Sequence, residues 1–206
     1  MKKNRNIVDL GHLLISDYLT KDTIAVDMTL GNGHDSLFLA KRCKHVYAYE
    51  IQELGINNSI KLFNEHSMNN LIIINKSHEY VSELKDSYSV AIFNLGYLPG
   101  SDKSITTSSL TTVKAVNHVL NNPKLKVLLI VVYPGHKEGM IESLALNEYI
   151  RDIDPNFKIT KVQVLETKNP APYLLMIEKK QPVSMSSVKK QKNIPKWIKR
   201  DNSRHA

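Results

Sequence analysis

Two clusters of residues in this chain of 206 have the types and spacing for chemistry. The first is Asp27-Met28-Thr29-Leu30-Gly31-Asn32-Gly33-His34-Asp35, which follows the apolar run Thr23-Ile24-Ala25-Val26 and precedes Ser36-Leu37-Phe38-Leu39-Ala40. The pattern reads as a strand, a glycine turn and a helix, an arrangement that lets a ligand come close to the backbone. A dinucleotide fingerprint would carry a third glycine where Ser36 stands, and a pyrophosphate would meet the carboxylate of Asp27 at the strand end. A cationic cofactor without phosphate, such as S-adenosylmethionine, fits better. Asp27, Gly31, Asn32, Gly33 and Asp35 are the candidate contacts, and the glycines taken alone also fit an ordinary tight turn.

A further carboxylate strengthens the cofactor reading. Val46-Tyr47-Ala48-Tyr49 is a second strand, and it ends at Glu50, with Gln52 just beyond. In a doubly wound sheet such a carboxylate lies beside the first glycine turn and accepts hydrogen bonds from ribose hydroxyls. Ser77 and His78 follow the third strand, where the adenine or its ribose would rest. A surface histidine is the alternative for His78.

The second cluster is Asn94-Leu95-Gly96-Tyr97-Leu98-Pro99-Gly100-Ser101-Asp102-Lys103, at the end of the strand Ser89-Val90-Ala91-Ile92-Phe93. It resembles the Asn-Pro-Pro-Tyr signature of methyltransferases that act on amino nitrogen. Methyl transfer from a sulfonium needs a nitrogen lone pair in line, about 3 Å from the methyl carbon. The carboxamide oxygen of Asn94 can accept one N–H of an incoming amine, and a nearby backbone carbonyl another; Asn94 and Gly96 are also candidate cofactor contacts. Tyr97 can stack on a flat base, and Asp102 can take a proton from an ammonium substrate. Lys103 can meet a phosphate or pair with Asp102; Thr106 and Thr107 can touch substrate or cap the next helix. Tyr133 and His136 fall after the fifth strand, on the substrate side. Tyr173 can stack on a nucleobase or sit in the core. No second ligand stands at metal-binding distance along the chain from His136, so no metal is expected.

The elements that must position these residues alternate. Helical faces are expected at 7–19, 35–43, 52–65, 77–84, 109–121 and 138–152. Strands are expected at 23–27, 45–49, 71–74, 89–93, 125–132, 157–165 and 173–179, with a polar loop over 94–107. Alternation predicts a parallel sheet with right-handed crossovers. The last two strands have no room between them for a helix and should pair antiparallel. The fold class is therefore α/β: a Rossmann-like class I S-adenosylmethionine-dependent methyltransferase fold. It has a seven-stranded, mostly parallel sheet with one antiparallel strand and helices on both faces. Asp27, Glu50, Asn75, Asn94 and Tyr133 would gather beyond the carboxyl ends of the strands.

Composition sets the outer bounds. Residues 1–180 read as one domain, and no apolar run approaches the roughly 20 residues that span a bilayer. The basic start Met1-Lys2-Lys3-Asn4-Arg5 leads into a segment broken by Asp9, His12 and Asp17, unlike a signal peptide. One cysteine, Cys43, excludes an internal disulfide, and a cytoplasmic location is expected. Of the net charge of +8, residues 181–206 carry seven Lys or Arg against Asp201, and the first 180 are nearly neutral. That tail reads as a polyanion contact or as a solubilising segment.

Four stretches together resemble the YtqB/MnmM group. They are Asp27 to Asp35, Asn94 to Thr107, Tyr133-Pro134-Gly135-His136-Lys137-Glu138-Gly139, and Asn169-Pro170-Ala171-Pro172-Tyr173. The match covers about residues 1–180. Ala171 stands where a second proline is expected, and Met28 where a smaller residue is. The resemblance implies methylation of tRNA at the anticodon loop: the 5-aminomethyl group of the wobble (2-thio)uridine would become 5-methylaminomethyl. A single-stranded loop offers that base without flipping it from a duplex. Alternatives of other kinds are an rRNA or small-amine methyltransferase, an RNA-binding protein with an idle cofactor site, and an NAD-linked oxidoreductase. A homodimer is a further expectation, with the N-terminal helix as its contact.

Overall fold

The computed structural model describes residues 6–96, 107–163 and 170–180. Its first strand, β1 (Ile24–Asp27), is flanked on one side by β2 (His45–Tyr49) and then β3 (Leu71–Ile74). On the other side lie β4 (Val90–Asn94), β5 (Val127–Val132), β7 (Tyr173–Lys179) and β6 (Phe157–Gln163), giving the order β3-β2-β1-β4-β5-β7-β6. β7 runs antiparallel to both β5 and β6, so it is the single reversed strand, as the sequence predicts. The chain reverses order at β1 and β4, which opens a crevice at the carboxyl ends of those strands.

The helices are α1 (Ile7–Ile15), α2 (His34–Ala40), α3 (Glu53–Glu65), α4 (Ser109–Leu120) and α5 (Lys137–Tyr149). Two apolar layers cover the sheet. Met28, Phe93, Leu128, Ile130 and Leu146 belong to one; Ile15, Leu39, Val46, Leu129 and Leu174 to the other. β5 is buried at every position, in keeping with its unbroken apolar run.

Several boundaries differ from expectation for local reasons. The first helix ends at Ile15, where the Ser16 hydroxyl donates to the His12 carbonyl, and Ser16–Tyr18 tighten into a 3₁₀ turn. His78–Glu83 and Ile150–Asp152 are also 3₁₀ turns rather than α-helix. The fifth strand starts at Val127 because Leu125 closes a turn onto the Asn122 carbonyl around Pro123. Asn94 is the last residue of β4 rather than the first of a loop. No helix of the described residues is long and apolar enough to cross a membrane.

Candidate functional site

The crevice is a cleft of about 1080 Å³. Its floor is the glycine turn. Gly31 and Gly33 have φ of 53° and 83°, left-handed values that favour glycine. Helix α3 presses on this turn at Gly55, where an added Cβ would lie 2.8 Å from the Gly31 carbonyl oxygen. Ser59 donates to that carbonyl at 3.1 Å, and Asn58 donates to Asn32 Oδ1 at 2.9 Å.

Glu50 binds two turns at once. Its Oε2 accepts the Gly31 N–H at 2.9 Å, and its Oε1 accepts the N–H groups of Ile51 and Gln52, each at 2.9 Å. The carboxylate therefore fixes the glycine turn against the start of α3 while still lining the cleft with Gln52. Ser77 and His78 form the next part of the wall. His78 is buried; its Nδ1 donates to the Met28 carbonyl at 3.1 Å, so Nε2 carries the lone pair and has no protein partner. Burial lowers its pKa to about 4 and keeps the ring neutral.

Asn94 stands where the two clusters meet. Its backbone N–H donates to Thr29 Oγ1 at 2.7 Å. Its side-chain Nδ2 donates to Asp35 Oδ2 at 2.9 Å, which leaves Oδ1 as the acceptor for anything in the cleft. The other oxygen of Asp35 is held by His12 Nε2 at 2.8 Å. Beyond Asn94, Gly96 and Thr107 tie together the two ends of the intervening segment. The Gly96 N–H donates to Thr107 Oγ1 at 3.0 Å, and the Thr107 N–H donates to the Gly96 carbonyl at 3.1 Å. Thr107 directs its own hydroxyl proton to Glu142 Oε2 at 2.9 Å, and Thr112 donates to Oε1 at 2.6 Å. Burial raises the pKa of Glu142, and these two bonds counter it.

The far wall is built by Tyr133, Gly135, His136, Pro170 and Pro172. His136 caps α5, its Nδ1 accepting the Gly139 N–H at 3.0 Å. Gly139 is required there, since a Cβ would collide with the Tyr133 carbonyl. Burial raises the pKa of the Tyr133 phenol, with the nearby Asp35 adding to it.

Of the residues expected at a site, Gly31, Asn32, Asp35, Glu50, Gln52, Ser77, His78, Asn94, Gly96, Thr107, Tyr133 and His136 line this one cleft. Three others do not. Asp27 lies beneath the floor, fully buried, accepting from Ser36 Oγ at 2.7 Å and from the Thr29 N–H at 3.0 Å. It shapes the turn from below. Gly33 packs against Ser59 of α3, outside the lining. Tyr173 is a core residue, its hydroxyl bonded to Ser143 at 2.9 Å and to Asn147 at 2.8 Å, so a stacking role on a base is corrected to a structural one. Tyr97, Asp102, Lys103 and Thr106 lie outside the described residues. Sequence reasoning missed Asn6, Asp9 and His12 of the first helix, which also face the cleft. The polar residues Asp9 and His12, three apart in a mostly apolar helix, were the available signal.

The sheet order, the reversed β7, the glycine turn after β1 and the acidic end of β2 define a class I, Rossmann-like methyltransferase fold. The chain belongs to the family described as "Putative rRNA methylase", which matches residues 46–178. It is 30% identical over 156 residues to the Arabidopsis thaliana protein named "tRNA (mnm(5)s(2)U34)-methyltransferase, chloroplastic". That match covers 67% of this chain and 56% of the relative, so the chain spans little more than half of that relative's length. A solved Streptococcus mutans protein, described as "a putative methyltransferase" and in complex with SAH, is 32% identical with a TM-score of 0.79. It is matched over 86% of this chain and 99% of its own. A protein of Clostridium thermocellum described as "putative rRNA-methylase" is 27% identical with a TM-score of 0.82, over 86% of this chain and 99% of its own.

Proposed function

We propose that this protein is an S-adenosylmethionine-dependent N-methyltransferase that converts the 5-aminomethyl group of the wobble (2-thio)uridine of tRNA to 5-methylaminomethyl. One observation supports the reading: Asn94 lines the cleft and its Nδ2 donates to Asp35, which leaves the carboxamide oxygen to accept from an incoming amine. An acceptor so placed takes an N–H from a neutral amine and aims the nitrogen lone pair.

The residues of the cleft fit the cofactor. His78 offers a buried acceptor nitrogen with no protein partner, of use to an amino group or a hydroxyl. Glu50 and Gln52 line the cleft and would meet the ribose hydroxyls, and the turn at Gly31 and Asn32 brings backbone close to the cleft. When bound, S-adenosylmethionine would supply an electrophilic methyl group for the amine nitrogen. Asn94 orients the amine, and the buried layer under Asp27 and Met28 keeps the floor rigid. An amine that arrives as ammonium would first lose a proton, to water or to Asp102. Lys103, Thr106, Tyr97, Tyr133 and His136 are the proposed contacts to the anticodon loop. The proposed setting is the cytoplasm, where tRNA is modified and read.

The family description speaks of rRNA and the plant relative's name of tRNA. An amine on an already single-stranded base suits an asparagine-led site and favours tRNA. The test is methylation in vitro of tRNA bearing 5-aminomethyl-2-thiouridine, read by nucleoside mass spectrometry. Formation of the methylaminomethyl nucleoside is expected; methylation of rRNA alone, or of neither, would overturn the assignment.

A further inference from the structure

Helix α1 packs on the sheet against β5 and β7 through Gly11. A Cβ added at Gly11 would lie 2.7 Å from Leu174 Cδ1 and 2.9 Å from Leu129 Cδ2, so those side-chain ends would have to shift. The start of the helix is fixed by a capping box, with Asn6 Oδ1 accepting the Asp9 N–H at 2.8 Å and Asp9 Oδ2 accepting the Asn6 N–H at 3.3 Å. The next residue after Gly11 is His12. Its ring lies flat on Phe38, with centroids 3.8 Å apart and planes 5° apart. The stack holds the ring plane, and Nε2 donates to Asp35 Oδ1 at 2.8 Å. The His12 and Asp35 side chains are only 18% and 11% exposed, so water competes weakly for this bond.

Asp35 is thereby held at one oxygen by His12 and turns the other to Asn94 Nδ2 at 2.9 Å. An Asn carboxamide has two nearly isosteric orientations, differing in whether oxygen or nitrogen faces the cleft. Rotating Asn94 by half a turn would set its oxygen against a carboxylate oxygen, acceptor against acceptor. The carboxylate therefore selects one orientation, and the selection is only as firm as the position of Asp35 itself.

We propose that His12 is a positioning residue for methyl transfer. Through Asp35 it fixes the Asn94 carboxamide with its oxygen presented to the amine. The inference rests on the function proposed above and assigns the first helix a part in it. His12 touches neither of the reacting atoms; it acts by holding the residue that orients Asn94.

Two variants separate this role from simple packing. His12→Phe keeps the aromatic stack on Phe38 and removes the donor; His12→Gln keeps a donor and removes the ring. If His12 acts through its hydrogen bond, His12→Phe lowers kcat by about ten- to hundred-fold while KM for the tRNA and the Kd for S-adenosylhomocysteine stay within about two-fold, and His12→Gln recovers most of the loss. If the ring only packs, the order of the two variants is reversed, and the proposal is overturned. A second readout needs neither cofactor nor turnover. In the ligand-free protein, solvent exchange of the Asn94 side-chain NH₂, followed by NMR, should accelerate about ten-fold or more in His12→Phe and not in His12→Gln. Unchanged exchange in both would overturn the proposal even if the wild type methylates tRNA. A wild type that methylates nothing, with exchange responding as described, would remove the proposed function and leave the positioning contact standing. Should His12→Phe not fold, His12→Ala is compared with His12→Gln, both without the ring: recovery in His12→Gln alone supports the hydrogen bond, and an equal loss in both overturns the proposal.

Discussion

At the residue scale, carboxylates organise the site, and each does so differently. Glu50 accepts three backbone N–H groups and so welds the glycine turn to α3. Glu50→Ala is expected to weaken S-adenosylmethionine binding by about 1–3 kcal/mol, through missing acceptors and a loosened turn. Calorimetric titration checks this, and unchanged affinity would mean that the ribose is held elsewhere. Asp27 is fully buried. Burial first, then the neighbouring Asp35, raises its pKa from 3.8 to about 7, against the hydrogen bonds from Ser36 and Thr29. The folded state thus binds this proton more tightly than the unfolded chain. The stabilisation is complete below the unfolded value and is lost as pH rises to about 7. Asp27→Asn should flatten the dependence of the unfolding midpoint on pH between about 4 and 7. An unaltered slope would assign that dependence to another group. Both carboxylates were read as site residues from their places after short apolar runs, and of the two only Glu50 lines the cleft. What the sequence could not tell was that Asp27 faces down, into the layer beneath the turn.

At the element scale, most of the architecture could be read along the chain. β1, β2, β3 and β7 follow from short apolar runs broken by polar turns, and their observed limits match or fall within a residue of expectation. The misreadings share a cause. Ser16, Pro123 and the segment after Tyr149 change local hydrogen bonding without changing hydropathy, so periodicity alone runs through them. Tyr173 illustrates another limit, because a tyrosine at a strand start looks the same whether its ring faces a cleft or, as here, Ser143 and Asn147. Close approaches between elements were also invisible. Gly139 lets the first turn of α5 pass against the Tyr133 carbonyl. Gly139→Ala should destabilise the fold by about 1–3 kcal/mol, as overpacking against rigid backbone does. Denaturant unfolding measures it, and a neutral result would mean that α5 shifts freely.

At the scale of the whole molecule, the fold separates binding from selection. The crevice between β1 and β4 gathers the glycine turn, the Glu50 wall and Asn94, contributed by stretches far apart in sequence. The first helix closes one side, with His12 reaching Asp35 across 23 residues of chain. That closure had no sequence signature beyond two polar residues, Asp9 and His12, among apolar ones. The charge distribution, by contrast, is plain in the sequence: residues 181–206 hold most of the net positive charge. If this stretch meets phosphates, its deletion should lessen the slope of log affinity for tRNA against log salt by about one for each phosphate it neutralises. Binding measured at several salt concentrations decides it, and an unchanged slope would leave the tail without a role in phosphate binding.

In the proposed mechanism Asn94 steers a neutral amine, and single-turnover methylation at saturating S-adenosylmethionine tests that most directly. With an anticodon stem-loop bearing 5-aminomethyl-2-thiouridine, Asn94→Ala should react about 100-fold more slowly than the wild type. Its affinity for S-adenosylhomocysteine should be little changed. Equal rates for the two proteins, or a loss of cofactor affinity as large as the loss of rate, would contradict the role assigned to this residue.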